Sequence, residues 1–360
     1  MSLNGKTWKR VGLGAVALVS TAVLAACGGK SSSTSSKTDE INWYTPTEIS
    51  TLDISKVTDS YSSIAIGNSG SNLLRRNEDG ELKPDLAEKV EVSEDGLTYI
   101  ATLRDGLKWS DGSDLTADDF VYTWQRIVDP ATASEYAYLA SDAHVLNAAE
   151  VINGTKSVDE LGVKADGNKV IFTLSSPSPQ FMSLLTFANF VPQNKAFVEK
   201  AGSDYATTSE KALYSGPYTV KNWNGSNGSF TLVKNKYYWD AKNVKLKKVN
   251  VQAVKKPDTA VQMYKDGELD TANISGTEAI YKANKSNKDV VDAPEATSAY
   301  LVYNETGSVK ALANTKIRQA LNLATNREGV VKAAIDTGSK AATALVPTGL
   351  ETLEDGTDLS

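Results

Sequence analysis

The sequence predicts an α/β architecture with several sheets, and three observations carry this. Short runs rich in β-branched and aromatic residues recur along the chain. Helical patterns fall between those runs, and no short-period repeat is visible, which argues against a solenoid. The length of 360 residues adds an expectation of about two domains, at roughly 150 residues each.

Taken in order, "INWYT" (41–45) and "YIATLR" (99–104) read as strands. The block 103–130 is the most informative stretch of the chain. Asp105-Gly106 and Asp111-Gly112 are turn dipeptides. Thr116 then precedes a helical run from Ala117 to Val128, with Asp119 three residues on as the acidic partner of an N-terminal cap. Asp118 and Asp119 suit the positive end of the helix dipole. Phe120 and Trp124 lie four apart and face one way, so they and Trp109 are expected in a core. Asp129-Pro130 ends the helix, because proline disfavours α geometry in the residue before it. "KVIFTL" (169–174) is a strand bounded by turn residues, and 216–235 is a hairpin whose apolar arms flank a Gly/Asn/Ser loop containing Gly225 and Gly228. "KKVNVQAV" (247–254) is a further strand, and helical patterns run over 257–266 and over 317–324, continuing after Asn326.

Composition excludes several classes. Net charge is −6, and without the three cations of the first 26 residues the remainder carries −9. An acidic body offers no electrostatic footprint for nucleic acid. One cysteine makes no internal disulfide, and a single histidine, His144, leaves no Cys/His cluster for structural zinc. His144 reads as a surface or satisfied core histidine. No phosphate-binding glycine loop and no nucleophile motif is present, so neither a cofactor nor an enzymatic activity is expected.

The amino terminus reads as a targeting segment. Lys6, Lys9 and Arg10 precede sixteen small and apolar residues, Val11–Ala26, a run short of the roughly 20 that span a bilayer. It ends Leu24-Ala25-Ala26-Cys27, which resembles a bacterial lipobox and implies cleavage before a lipid-modified Cys27. The competing reading is a plain signal peptide with an incidental cysteine. Residues 30–37 are nearly all Ser and Thr, a composition that stays a flexible tether, so the folded part is expected to begin near Ile41.

Three longer segments resemble one family. They are "TLDISKVTDSYS" (51–62), residues 73–126, and "KIRQALNLATNREGVV" (316–331). Smaller echoes are "SGPYTVKNW", "NKYYWD" and "MYKDGELDTA". In this order they resemble the oligopeptide-binding family, the solute-binding proteins of peptide-importing ABC transporters. The resemblance implies a two-lobed, periplasmic-binding-protein-like fold of type II with discontinuous domains. Domain I is expected at 41–72 and again at 169–298, domain II at 73–168, and the start of domain III at 299–360. Most groups that hold the peptide ends in the family belong to domain III, which is expected to be largely missing.

The resemblance also places site residues. Thr58, Asp59 and Ser60 match a segment whose backbone pairs with an extended peptide, although "VTDSYS" equally fits a solvated turn. Asn273, Ile274 and Ser275 match a passage reaching the inter-lobe crevice, or form an ordinary loop. Tyr300 and Tyr303 sit where the chain crosses between lobes, as pocket walls or as core aromatics. The implied partners are an oligopeptide ligand and the permease and ATPase subunits of an importer, with a monomer held at the outer membrane face by its lipid. A peptide-pheromone or adhesion lipoprotein, and a non-functional remnant, are the competing readings.

Overall fold

The computed structural model describes residues 39–275, 277–293, 295–334, 338–347, 349, 350, 353 and 355–358. The export segment 1–26, Cys27 and nearly all of the tether lie outside the described residues. The described chain begins with strand β1 (Glu40–Thr45), helix α1 (Ser60–Ser69) and strands β2 (Leu74–Arg76), β3 (Leu82–Pro84), β4 (Ala87–Val92) and β5 (Thr98–Leu103). Helix α2 (Ala117–Val128) and the short helices α3 (Tyr138–Asp142) and α4 (Ala148–Ile152) follow. Strands β6 (Val163–Asp166) and β7 (Lys169–Thr173) then lead to helices α5 (Phe181–Leu184) and α6 (Lys195–Ala201). Strands β8 (Tyr218–Lys221), β9 (Ser229–Lys234) and β10 (Lys248–Ala253) precede helices α7 (Pro257–Lys265), α8 (Glu278–Asn284), α9 (Thr315–Ala324) and α10 (Arg327–Ala334).

Two four-stranded sheets organise these elements. The first has the order β1-β10-β9-β8, with β1 and β10 parallel and the other pairs antiparallel. Side chains alternate between the faces of a strand. One face therefore carries Ile41, Trp43, Phe230, Leu232, Val249 and Val251 into a core that also takes residues 49–66 and 191–223. The opposite face is polar, and there the Asn250 amide donates to Asn42 Oδ1 at 3.0 Å across the parallel pair. The expected hairpin is present as β8–β9, with Gly225 turning at φ +93°.

The second sheet has the order β4-β5-β7-β6 and is wholly antiparallel. Helix α2 packs on it as the sequence predicts. Trp109, Phe120 and Trp124 are fully buried, and Trp124 stacks on Phe190 with ring centroids 4.0 Å apart and meets Phe172 edge-on at 5.1 Å. The backbone amide of Thr116 donates to Asp119 Oδ2 at 2.9 Å, closing the expected cap. Asp119 does more than complement the helix dipole. It is buried and also accepts from the Trp109 indole at 3.2 Å.

One expected boundary moves. Domain I was expected to resume at residue 169, yet β7 pairs with β5 and β6, and the core of the second sheet runs on through Phe181 and Phe190. The first core resumes at Val191. The boundary that the resemblance implied falls in the tight β6–β7 hairpin, with Gly167 at φ +59°.

The connections between the cores are welded by close backbone approach and buried polar groups. Gly216 lies against Gly70, where an added Cβ would sit 2.7 Å from that carbonyl, and its amide donates to Ser69 O at 2.9 Å. Tyr238 and Trp239 both donate to buried Asp85, at 3.0 and 2.9 Å, and the Arg104 guanidinium stacks 3.8 Å over the Trp239 ring. Beyond Leu269 the character changes. Among the described residues after that point none is buried, and Tyr300, Leu301 and Val302 are 70, 76 and 80% exposed. No described helix is long and apolar enough to cross a membrane.

Candidate peptide-binding surface

The candidate surface lies outside the carboxyl ends of the parallel strands β1 and β10, where open α/β sheets bind ligands. The chain leaving β1 forms a turn at 53–57, buried except at Lys56, and then emerges at Thr58, Asp59 and Ser60. Asp59 caps α1. Its carboxylate accepts from the Ser62 amide at 2.8 Å and from the Ser50 hydroxyl at 2.6 Å. Burial pushes this carboxyl up, but the Ser50 and Ser62 hydrogen bonds outweigh it and hold the group below the usual carboxylate range.

The backbone polarity of this stretch alternates. The Asp59 carbonyl points inward and accepts from both the amide and the hydroxyl of Ser63, at 3.0 and 2.8 Å. The amides of Thr58 and Ser60 and the carbonyl of Thr58 have no hydrogen-bond partner among the described residues, and both residues are exposed. Alternate residues of an extended chain present their polar groups to the same side. Thr58 and Ser60 thus offer a short, unpaired edge to solvent.

The turn beneath that edge is held from the second core. Arg126 on α2 forks onto Asp53, with Nη1 to Oδ1 at 2.6 Å and Nη2 to Oδ2 at 2.9 Å, and donates to Gln193 Oε1 at 2.7 Å. Gln193 in turn donates to Ser55 Oγ at 2.9 Å. The Asn189 amide donates to the carbonyls of Ile54 and Val57, at 2.9 and 3.0 Å. Tyr205, buried beneath the guanidinium, has its hydroxyl pushed far up by burial. None of this buried network is signalled by sequence periodicity; the one cue is single polar residues set in apolar surroundings, such as Asn189 between Phe187 and Phe190.

The other expected site residues fall as follows. Asn273 follows the β10–α7 passage, and its amide donates to the Tyr44 hydroxyl at 2.9 Å, which ties it to the carboxyl end of β1. Ser275 folds back onto Asn273 Oδ1 through its amide and hydroxyl, at 2.7 and 2.5 Å, and Ile274 between them is half-buried. Tyr300 is exposed and Tyr303 half-buried, both on a stretch without regular structure, so neither is a core aromatic. His144 is exposed at φ +60°, a surface residue. An aromatic cluster that sequence reading passed over lies on the surface at Tyr136, Tyr138 and Phe187, with Tyr136 edge-on to Phe187 at 5.6 Å.

The surface is open rather than enclosed. A void of about 10 Å³ under Leu52 and Ile54 is at most water-sized, and a shallow depression of about 320 Å³ lies on the polar face of the first sheet. Neither is lined by Thr58–Ser60, Asn273–Ser275 or the two tyrosines. No group of three or more metal-ligating side chains occurs among the described residues.

Known proteins resemble this chain in sequence and in overall fold. The dipeptide-binding protein of Lactococcus lactis subsp. cremoris (strain MG1363) is 41% identical over 99% of this chain and 65% of its own length. A structure of Listeria monocytogenes OppA bound to peptide superposes with a TM-score of 0.81 at 34% identity, over 89% of this chain and 63% of that one. The pheromone receptor PrgZ superposes with a TM-score of 0.82 at 33% identity, over the same shares. The chain thus spans less than two thirds of the length of these relatives. The α/β fold, with its two cores threaded by a discontinuous chain, is the type II periplasmic-binding-protein fold, and at the family level these relatives are binding proteins rather than enzymes. Residues 81–358 match one family model, and the chain belongs to the bacterial extracellular solute-binding proteins, family 5 Middle.

Proposed function

We propose that this chain is part of a lipid-anchored extracytoplasmic receptor that binds oligopeptides and passes them to an ABC importer. The observation that carries the reading is the solvent-facing edge at Thr58 and Ser60, whose amides and carbonyl are unpaired among the described residues. Such an edge takes an extended peptide by main-chain hydrogen bonds, which give affinity without reading side chains. The similarity to Listeria monocytogenes OppA bound to peptide supports the same ligand class. Asn273, Ile274 and Ser275 flank the peptide on the same side of the sheet, and Tyr300 and Tyr303 supply aromatic area where the chain passes toward a third domain. That domain, beginning near residue 299, closes over the ligand. Closure follows from the ligand's preference for the closed state, and transport energy comes from the importer's ATPase subunits. The receptor acts as a monomer.

The anchor is Cys27, with 27–40 as the tether. A Cys27→Ser chain is expected to leave the membrane fraction; retention there would refute the anchor. The peptide reading is tested by thermal unfolding of the full chain against a peptide library. Ligand at a hundredfold excess over Kd adds about 2.7 kcal/mol, so many peptides are expected to raise the midpoint. A cooperative transition that no peptide moves would sink the reading. The pheromone-receptor reading is favoured by one observation, the likeness to PrgZ, and predicts instead that a single peptide sequence moves the midpoint.

A further inference from the structure

We infer that Asn189 is a positioning residue for peptide capture, which clips the 54–57 turn so that the Thr58–Ser60 edge is held ready before any ligand arrives. This rests on the peptide-strand reading above. Asn189 is 2% exposed and sits in a single 3-10 turn, Ala188–Phe190, where the chain passes from the second core back to the first. Its side-chain Nδ2 donates to two backbone carbonyls three residues apart, Ile54 at 2.9 Å and Val57 at 3.0 Å. Val57 is fully buried and directly precedes Thr58.

The clip is one of several holds on the same turn. The amides of Lys56 and Val57 both donate to Asp53 O at 3.0 Å. The Asp53 carboxylate is gripped by Arg126, and Ser55 by Gln193. Asn189 alone among these side chains reaches the carbonyl that adjoins the exposed edge. It is also rooted in the second core, since its neighbour Phe190 stacks on Trp124. The second core thereby contributes to capture without touching the ligand. The physical gain is entropic. Strand addition is weakened by whatever ordering the receptor must undergo, and a backbone ordered in advance is spared that loss.

The test compares the full chain with Asn189→Asp, which keeps the shape and loses both donors, and with Asn189→Ala, which adds no buried charge. Two readouts are taken: hydrogen exchange at the Lys56 and Val57 amides, and tri-alanine affinity by titration calorimetry. Loss of a net hydrogen bond to a buried carbonyl is expected to speed exchange at Lys56 and Val57 by about tenfold. The amides of Ile100 and Ile171 in the β5–β7 ladder should keep their rates, and tri-alanine affinity should fall about fivefold or more. Unchanged exchange at Lys56 and Val57, or acceleration spread equally to Ile100 and Ile171, would overturn the inference in favour of general packing. If neither variant folds, the native chain decides it: Asn189 side-chain amide protons exchanging as fast as solvent-exposed side-chain amides would overturn it, and their protection would support it. Failure of tri-alanine to bind the unsubstituted chain would refute the peptide reading, while the exchange readout would still decide whether Asn189 orders the turn.

Discussion

Removal of the Arg126 guanidinium is expected to destabilise the fold by about 3 kcal/mol, within the range for breaking a buried ion pair. The side chains of Arg126 and Asp53 are 14 and 9% exposed, so the pair is little screened by water. Arg126→Met takes away three hydrogen bonds at 2.6–2.9 Å and leaves the Asp53 carboxylate accepting from the Ser55 amide at 3.0 Å. The cost is chiefly that of a stranded buried charge rather than of the lost attraction. Pairing the change with Asp53→Leu removes the charge as well and should recover at least about half of the loss. Equilibrium urea unfolding, followed by the six tryptophans, measures both. With m of about 3 kcal/mol/M, the single variant's midpoint should fall by about 1 M. A single variant that loses less than about 1 kcal/mol, or a double variant no better than the single, would refute the claim that this pair joins the two cores.

Further expectations follow from the same geometry. Burial pushes the Asp119 carboxyl up to about 6, against the hydrogen bonds from the Thr116 amide and the Trp109 indole. The folded state thus holds this proton more tightly than the unfolded chain, whose Asp titrates near 3.9. The contribution of Asp119 to stability is full below about pH 4 and is lost as pH rises toward about 6; Asp119→Asn should abolish that slope in midpoint-versus-pH curves, and identical slopes would contradict it. Gly216→Ala places a methyl 2.7 Å from the Gly70 carbonyl and should cost about 1–3 kcal/mol in thermal unfolding, whereas Gly67→Ala meets nothing within 4 Å and should be neutral or stabilising. Ser60→Pro deletes an edge amide at the first position of α1, where proline is tolerated, and the preceding Asp59 is already extended at φ −99°, ψ 149°. It should leave stability within about 0.5 kcal/mol and weaken tri-alanine binding severalfold; unchanged affinity would show that this amide takes no part.

What was legible in the sequence were features set by local chemistry. The 103–130 block announced itself through two Asp-Gly turns, a capping pair and aromatics four apart, and each took the expected form. The β8–β9 hairpin was equally plain. The sheet to which β7 belongs was not, because strand partnership is a long-range choice that a turn dipeptide does not encode. The proposed site was legible only in part. Thr58–Ser60 could be placed by resemblance, but the groups that hold them are scattered through the chain at Arg126, Asn189 and Gln193, joined by the fold alone. The exposed residues after Leu269 likewise give no local sign of burial or exposure, since Leu301 and Val302 would suit a strand of any sheet.

The most direct measurement is amide exchange at Thr58 and Ser60 of the full chain, with and without saturating tri-alanine. Peptide pairing with this edge should slow exchange at these two amides by about tenfold or more, while Ser63, already bonded to Asp59, changes little. Binding of tri-alanine with unchanged exchange at Thr58 and Ser60 would contradict the account.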